Sequence, residues 1–283
     1  MKFSIVTPSF RNSEWLKLCI ASVADQTVSH EHIVQDSCSD DGTQNWLPKD
    51  PRVTACIEKD RGMYDAVNRG FRRAQGELLA YINCDEQYLP GSLEKVAAFF
   101  EAHPAVDVAF ADTVIVDGMG NYICDRKALP PQKYHTLVGT TLSFFTCSTF
   151  MRRRVIHEYG LFFNDRLRDL GDCDWALKLI QRGVRMAVFP EITTAFAETG
   201  TNMNLLPNAR REAQEMFDSA PAWARRLRPW FILHYRLRRL LSRGPSSEPF
   251  QYAIYTRESP TARRVFEVAT PRSRWIRPPP PAG

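Results

Sequence analysis

The sequence predicts an α/β fold: a mostly parallel sheet flanked by helices, with a small antiparallel part and a helical C-terminal extension. Three observations predict it. Short apolar runs alternate with helix-length amphipathic patterns over the first ~90 residues, the mark of βαβ units and a parallel sheet. The composition, 44% apolar and 24% charged over 283 residues, suits one large soluble domain with an appendage. The net charge of +5 is unevenly spread: from Ala209 onward there are 15 Arg, no Lys and 6 acidic residues, so +9 there and −4 before it. Residues 1–208 and 209–283 are therefore expected to be different physical units.

Taken in order, residues 3–7 form a short buried strand that Pro8 ends. Asn12 or Ser13 caps the next helix, with Glu14 in its first turn; Trp15, Leu18, Cys19 and Val23 share one face. Residues 32–34 are a second strand, closed by Gln35-Asp36, and 36–43 is a small, polar turn. Residues 53–57 are a third strand. Asp60 starts and Gly76 stops a helix over 63–74. The apolar run 78–82 ends at Asn83-Cys84-Asp85-Glu86, and a helix over 90–101 follows. Residues 106–111 are a strand. The stretches 114–117 and 122–125 flank Gly118-Met119-Gly120 as an antiparallel hairpin. Residues 142–151 run through the core, 172–182 are a helix, and 185–189 and 193–197 are late strands.

From 221 to 244, Trp223, Leu227, Trp230, Phe231, His234, Leu237 and Leu241 recur at helical spacing. Arg225, Arg226, Arg228, Arg236, Arg238, Arg239 and Arg243 fill the other faces, and Pro229 divides the stretch into two short helices. Beyond Gly244 the chain is rich in Pro, Ser and Arg and ends in four prolines, 278–281. That end is expected to be poorly ordered.

Seven scattered cysteines without a C-x-x-C pair argue against a disulfide framework or a zinc site, and for a reducing compartment. The N-terminus has no signal-peptide pattern, and no apolar run approaches the ~18 residues of a membrane span. Right-handed crossovers put the strand-to-helix loops on one rim of the sheet. Those loops carry Pro8-Ser9, Asp36, Asp60 and Asp85-Glu86. An isolated Asp-Glu is ordinarily a solvated turn; four polar loops on one rim point to a site.

Four pieces, in order and each after a predicted strand, resemble a family 2 glycosyltransferase of the GT-A (Rossmann-like) fold, over about residues 3–200. Residues 4–12, SIVTPSFRN, are similar to the family's first strand and nucleotide loop. Residues 36–43, DSCSDDGT, look like its D-G-x-S-x-D-G-T. Residues 60–70, DRGMYDAVNRG, resemble D-x-G-x-Y-D-A-x-N-x-G. Asn83-Cys84-Asp85-Glu86 with Pro90 resembles the metal motif N-x-D-D-x-x-x-P.

The resemblance implies roles. Pro8 and Ser9 line the nucleotide pocket, Asp36 accepts a hydrogen bond from the base, and Asp60 and Asn68 border the donor. Asp85 faces the ribose or sugar, and Glu86 stands where the family's second Asp chelates a divalent metal, Mn²⁺ or Mg²⁺. Residues 171–179, GDCDWALKL, resemble E/A-D-x-D-L-x-L-R-L, which makes Asp172 the catalytic base, with N-cap of the following helix as its alternative role. Asp169 is the lesser competitor and Asp174 is structural. Two departures stand out: Glu86 in place of Asp, and Glu198 where some relatives carry a His. Arg152-Arg153-Arg154 is a solvated turn or a diphosphate clamp.

The implied activity is inverting, metal-dependent transfer of a sugar from a nucleotide-sugar, a UDP-sugar by the family's habit, to a glycan or lipid-linked acceptor. The implied setting is bacterial surface polysaccharide assembly at the cytoplasmic side of the membrane. The rivals are a nucleotidyltransferase, which ordinarily needs a Gly-rich phosphate loop that residues 6–10 do not form, and a non-catalytic sugar-nucleotide-binding scaffold. For the Arg-Trp stretch 221–244 three readings compete: peripheral membrane contact, a helical subdomain packed on the catalytic domain, and nucleic-acid binding. The last is not expected, because basicity without a motif is nonspecific.

Overall fold

The computed structural model describes residues 1–199, 207–242, 248–273 and 275. Its parallel half comes first in the chain. Strands β1 (Phe3–Ser9), β2 (His30–Asp36), β3 (Thr54–Ile57) and β4 (Leu78–Tyr81) lie in the order β3-β2-β1-β4. All seven residues of β1 are buried, because it pairs on both edges and is covered on both faces. The crossovers carry α1 (Ser13–Ala24), the single turn α2 (Thr43–Trp46) and α3 (Met63–Arg73). Helix α3 packs tightly on β1: a Cβ at Gly70 would stand 2.3 Å from Val6 Cγ1, so only glycine permits the approach.

The start of α1 differs from expectation. Neither Asn12 nor Ser13 caps it with a side chain. Asn12 instead donates to Cys84 Sγ at 3.1 Å, and Asp41 from the neighbouring loop accepts the Ser13 N–H at 2.9 Å. The cap is borrowed across the rim, which ties three loops together.

Beyond β4 the sheet becomes mixed. Strand β5 (Glu86–Tyr88) and helix α4 (Ser92–Ala102) are followed by β6 (Val108–Asp117) and β7 (Tyr122–Arg126). After α5 (Lys133–Gly139), a 3-10 turn leads into β8 (Thr149–Arg152), which lies antiparallel between β4 and β6. After α6 (Arg154–His157) and α7 (Gly171–Arg182) comes β9 (Met186–Glu198). Both β6 and β9 are single long strands where two short segments were expected. The reason is a bulge: Ala111 pairs with Phe189 and Asp112 with Ile192, so Pro190-Glu191 loop out. Proline has no N–H for the ladder and is tolerated at such an irregularity. Beyond the bulge β6 and β9 remain parallel, and the small antiparallel part is formed on their outer edges, where β7 pairs with β6 and β5 with β9.

The C-terminal segment consists of α8 (Pro207–Asp218), α9 (Ala222–Arg226), α10 (Arg228–Leu241) and a hairpin, β10 (Phe250–Thr256) with β11 (Ser259–Val268). Pro229 does divide the Arg-Trp stretch. It sits in the first turn of α10, where a missing N–H costs nothing. The expected disorder beyond Gly244 is corrected by the hairpin. Tyr252, Ile254 and Val268 join one apolar cluster with Leu89, Val114, Val116, Ala195 and Ala197. The Gln87 side chain donates to Tyr255 O and accepts from Tyr255 N, both at 2.8 Å. Alternating apolar residues within 250–268 were the missed signal. Arg243 and prolines 278–281 lie outside the described residues. Among the described residues no helix is long and apolar enough to cross a membrane.

Candidate active site

The strand ends converge as the βαβ pattern requires. Ser9 at the end of β1 pairs in register with Asp36 at the end of β2, and Ser9 O accepts the Ser37 N–H at 2.9 Å. Ser9 Oγ is buried and has no hydrogen-bond partner among the described residues. Asp36 is fully buried; its two oxygens take Ser39 N–H at 2.8 Å and Ser39 Oγ–H at 2.7 Å. Each carboxylate oxygen retains a further lone pair. Asp60 stands beside them: its N–H reaches Ser37 Oγ at 3.3 Å and its Oδ1 accepts Gly62 N–H at 2.9 Å. Burial raises its pKa above the usual carboxylate value.

Asn68 lies in α3. It is buried, and its carboxamide clamps Phe163, donating to Phe163 O at 2.9 Å and accepting from Phe163 N at 3.0 Å. Phe163 in turn stacks on Tyr64 and Trp175, at 5.4 and 5.0 Å, and meets Tyr81 edge-on at 5.4 Å. Asn68 thus holds the Phe163 backbone with both ends of its carboxamide.

The two acids of the pair differ in burial and bonding. Glu86 is in β5, 2% exposed, with its Oε2 accepting the Asn83 N–H at 2.7 Å, which closes the turn 83–86 from beneath. Asp85, half-buried, faces a cavity also lined by Trp15, Gln87, Asp117 and Arg257. Burial drives both carboxyls upward, and the Asp85 charge adds to the rise at Glu86. Neither forms an ion pair among the described residues, whose ion pairs all lie elsewhere. Such an uncompensated acidic pair fits a divalent cation, which would offset the charge that burial penalises. Among the described residues no three His, Cys, Asp or Glu side chains gather at metal-binding spacing, so further ligands would have to come from a bound phosphate or water.

Asp172 lies in the first turn of α7. Its Oδ1 accepts the Cys173 N–H at 2.7 Å and its own N–H donates to Tyr64 OH at 3.2 Å. Asp172 is not the N-cap; that position is Leu170, which makes no side-chain cap. Burial raises the Asp172 pKa to about 6. Gly171 is required here, since a Cβ would stand 2.5 Å from the Tyr64 ring. Burial raises the pKa of the Tyr81 phenol, at the end of β4, and the charges of both Asp172 and Glu86 raise it further, so both acids lie within electrostatic reach of that ring.

Glu212 was not anticipated, because it lies in the segment assigned to the C-terminal extension. It is 3% exposed, and its carboxylate accepts the N–H groups of Arg168, Asp169 and Leu170 at 2.8, 3.0 and 2.9 Å. Helix α8 thus holds the loop that delivers Asp172. Replacing Glu212 by Ala leaves three N–H groups without that acceptor. The expected cost is about 2–3 kcal/mol in a denaturant titration, with turnover falling more than the folded fraction does. Two of the three arginines of the triplet are engaged within the chain: Arg152 donates to Val106 O and Phe100 O at 2.8 Å, and Arg154 pairs with Asp107 at 2.5 Å, while Arg153 is exposed. Asp169 accepts from Asn208 at 2.7 Å, and Asp174 pairs with Lys178 at 2.9 Å.

Known proteins resemble this chain at both levels. The family described as Glycosyl transferase family 2 matches residues 4–160. The putative teichuronic acid biosynthesis glycosyltransferase TuaG of Bacillus subtilis is 33% identical over 102 residues, 34% of this chain and 40% of the relative. The chain thus spans about two fifths of that relative's length. A PGL/p-HBAD biosynthesis glycosyltransferase of Mycobacterium tuberculosis is 32% identical over 204 residues, 68% of this chain and 75% of that protein. Among solved structures, S. aureus TarS 1-349 in complex with UDP-GlcNAc superposes with a TM-score of 0.58 at 19% identity, covering 82% of this chain and 67% of that one. The mannosyltransferase PcManGT from Pyrobaculum calidifontis, in complex with GDP-Man and Mn²⁺, gives 0.52 at 17% identity, covering 86% and 79%. Those two likenesses show a shared fold.

Proposed function

The chain belongs to glycosyl transferase family 2, and we propose from that premise that this glycosyltransferase moves a sugar from a nucleotide-sugar to an acceptor hydroxyl with inversion at the anomeric carbon. The observation that supports the reading is that the Asp172 N–H donates to Tyr64 OH, whose ring packs through Phe163 on Tyr81, the last residue of the strand that leads to the Asp85-Glu86 turn; the proposal puts the diphosphate at that turn and the base on the far side of the sugar. A base on one side of the reacting carbon and a diphosphate-binding side opposite it give in-line displacement, hence inversion.

The residues divide the work as follows. Pro8, Ser9, Asp36 and Asp60 line the nucleotide end; the partnerless Ser9 hydroxyl and the spare lone pairs of Asp36 are available to a base or ribose. Asp85 meets the diphosphate end, with Glu86 holding its turn. A divalent cation, Mn²⁺ or Mg²⁺, would be held by Asp85 and supplies neutralisation of the departing diphosphate. Asp172 accepts the acceptor's hydroxyl proton as that oxygen forms the new glycosidic bond. A pKa near 6 leaves it ionised at neutral pH yet more basic than a solvated Asp. Tyr64 accepts its backbone N–H, and Glu212 holds the preceding loop 168–170.

A UDP-sugar donor is supported by the UDP-GlcNAc complex of the TarS relative in fold, and a cell-surface glycan acceptor by the teichuronic acid relative in sequence. The test is a panel of UDP-, GDP- and dTDP-sugars with Mn²⁺ or Mg²⁺, reading nucleotide release. The expected result is metal-stimulated release from one donor class. Release from none, with glycan or lipid-linked acceptor present, would overturn the assignment.

A further inference from the structure

Seven of the ten exposed large apolar side chains among the described residues fall between Trp223 and Leu241. On α10, Trp230, Leu233, Leu237, Leu240 and Leu241 follow the spacing of a single helical stripe, and they are 46–80% exposed. Trp223 and Leu227 continue it from α9. No residue of α10 is buried. Its other face is anchored: Phe231 packs 5.3 Å from Tyr134, Arg239 donates to Lys127 O and Ser143 O, and Arg238 donates to Pro130 O at 3.1 Å. The apolar stripe is therefore the outward face of a helix that is already docked.

The chemistry around the stripe selects its occupant. Residues 219–247 contain seven Arg and no Asp or Glu. Arg226, Arg228 and Arg236 are exposed and form no ion pair among the described residues. Leucine and tryptophan flanked by unopposed arginine complement an apolar interior beneath a negative surface. A protein partner would more often present the acids' counterpart within a mixed rim, and stacked bases would call for aromatic planes rather than four leucines. At 14 residues, α10 is about 21 Å long, so it can lie in a bilayer interface but not cross it.

We propose that α9 and α10 dock this face on the headgroup region of an anionic bilayer, with the leucines and Trp230 inserted and the arginines on the lipid phosphates. Helix α5 joins this unit to the helix that carries Asp172: Leu137 and Val138 of α5 share an apolar cluster with Leu177 of α7, Ala224 of α9 and Phe231 of α10. The docked surface is thereby coupled to the base side of the site. The docking rests on these helices and not on the reaction, so either can fail without the other.

The experiment is sedimentation of the full chain with vesicles of phosphatidylglycerol and phosphatidylcholine, and with pure phosphatidylcholine. The expected result is binding to the anionic vesicles at least about tenfold tighter than to the neutral ones. The triple variant Trp230→Ser, Leu237→Ser, Leu241→Ser should lose about tenfold or more, as should Arg226→Glu with Arg236→Glu; unchanged circular dichroism secures their fold. Equal partitioning of the native chain and both variants would overturn the proposal. So would concentration-dependent dimerisation abolished by the Ser variant without vesicle binding, or tighter retention by single-stranded RNA than by anionic vesicles.

Discussion

Asp172→Asn is expected to lower kcat about 100- to 10,000-fold, the usual contribution of a positioned general base, while leaving the affinity for the nucleotide-sugar within a few-fold of native. Asn preserves the side chain's size and its hydrogen bond from Cys173 N, so the loss isolates the proton-accepting role. The native enzyme's kcat should rise with pH through about 6, where Asp172 loses its proton, and reach a plateau above it. A stability readout separates this from misfolding. The folded-state pKa lies above the ordinary carboxyl value, so the native carboxylate destabilises the fold once the pH rises through that window. Above pH 7 the Asn variant should be more stable, by on the order of 2 kcal/mol. An inactive and less stable variant would count against the base; turnover near native would remove it.

Asp85→Asn should be nearly as damaging, about 100- to 1,000-fold in kcat/KM, because it removes the half-buried carboxylate proposed to hold the cation that neutralises the diphosphate. Its signature differs from that of Asp172. Asp85→Asn should weaken Mn²⁺ or Mg²⁺ activation, shifting the half-saturating metal concentration upward at least tenfold. Isothermal titration of metal with UDP present reads the same shift without turnover. Glu86→Gln is the contrast. Gln retains an acceptor for the Asn83 N–H, so a smaller loss is expected. If Glu86→Gln abolished metal activation and Asp85→Asn did not, the division of the pair drawn from burial would be reversed.

The rim of the parallel half was legible because strand, loop and helix are all local. Each motif follows an apolar run, and the right-handed crossover rule alone brings Ser9, Asp36, Asp60 and Asp85 to one side. What the sequence concealed is non-local. Glu212 looks like one more acid on an amphipathic helix, and nothing near it in the chain announces three N–H groups 42 to 44 residues away. Asn68 falls within a motif associated with the donor, yet helix periodicity already turned it inward: Tyr64, Val67, Asn68 and Phe71 form one face of α3, all buried. The continuity of β6 and β9 was hidden by Pro190, which reads as a stop and acts as a bulge. The hairpin 250–268 was hidden by the basic, Pro-containing composition around it, which outweighed its strand alternation.

The pin between Gln87 and Tyr255 spans 168 residues. The strand next to the acidic turn is therefore held from outside by chain that is synthesised 168 residues later. Contacts of such separation are slow to form, because loop closure must precede them. The parallel half can assemble early in synthesis, but β5 and its turn gain this brace only once the hairpin of β10 and β11 has been made. A chain interrupted before that hairpin would keep the residues of the donor rim but lack the brace beside Asp85.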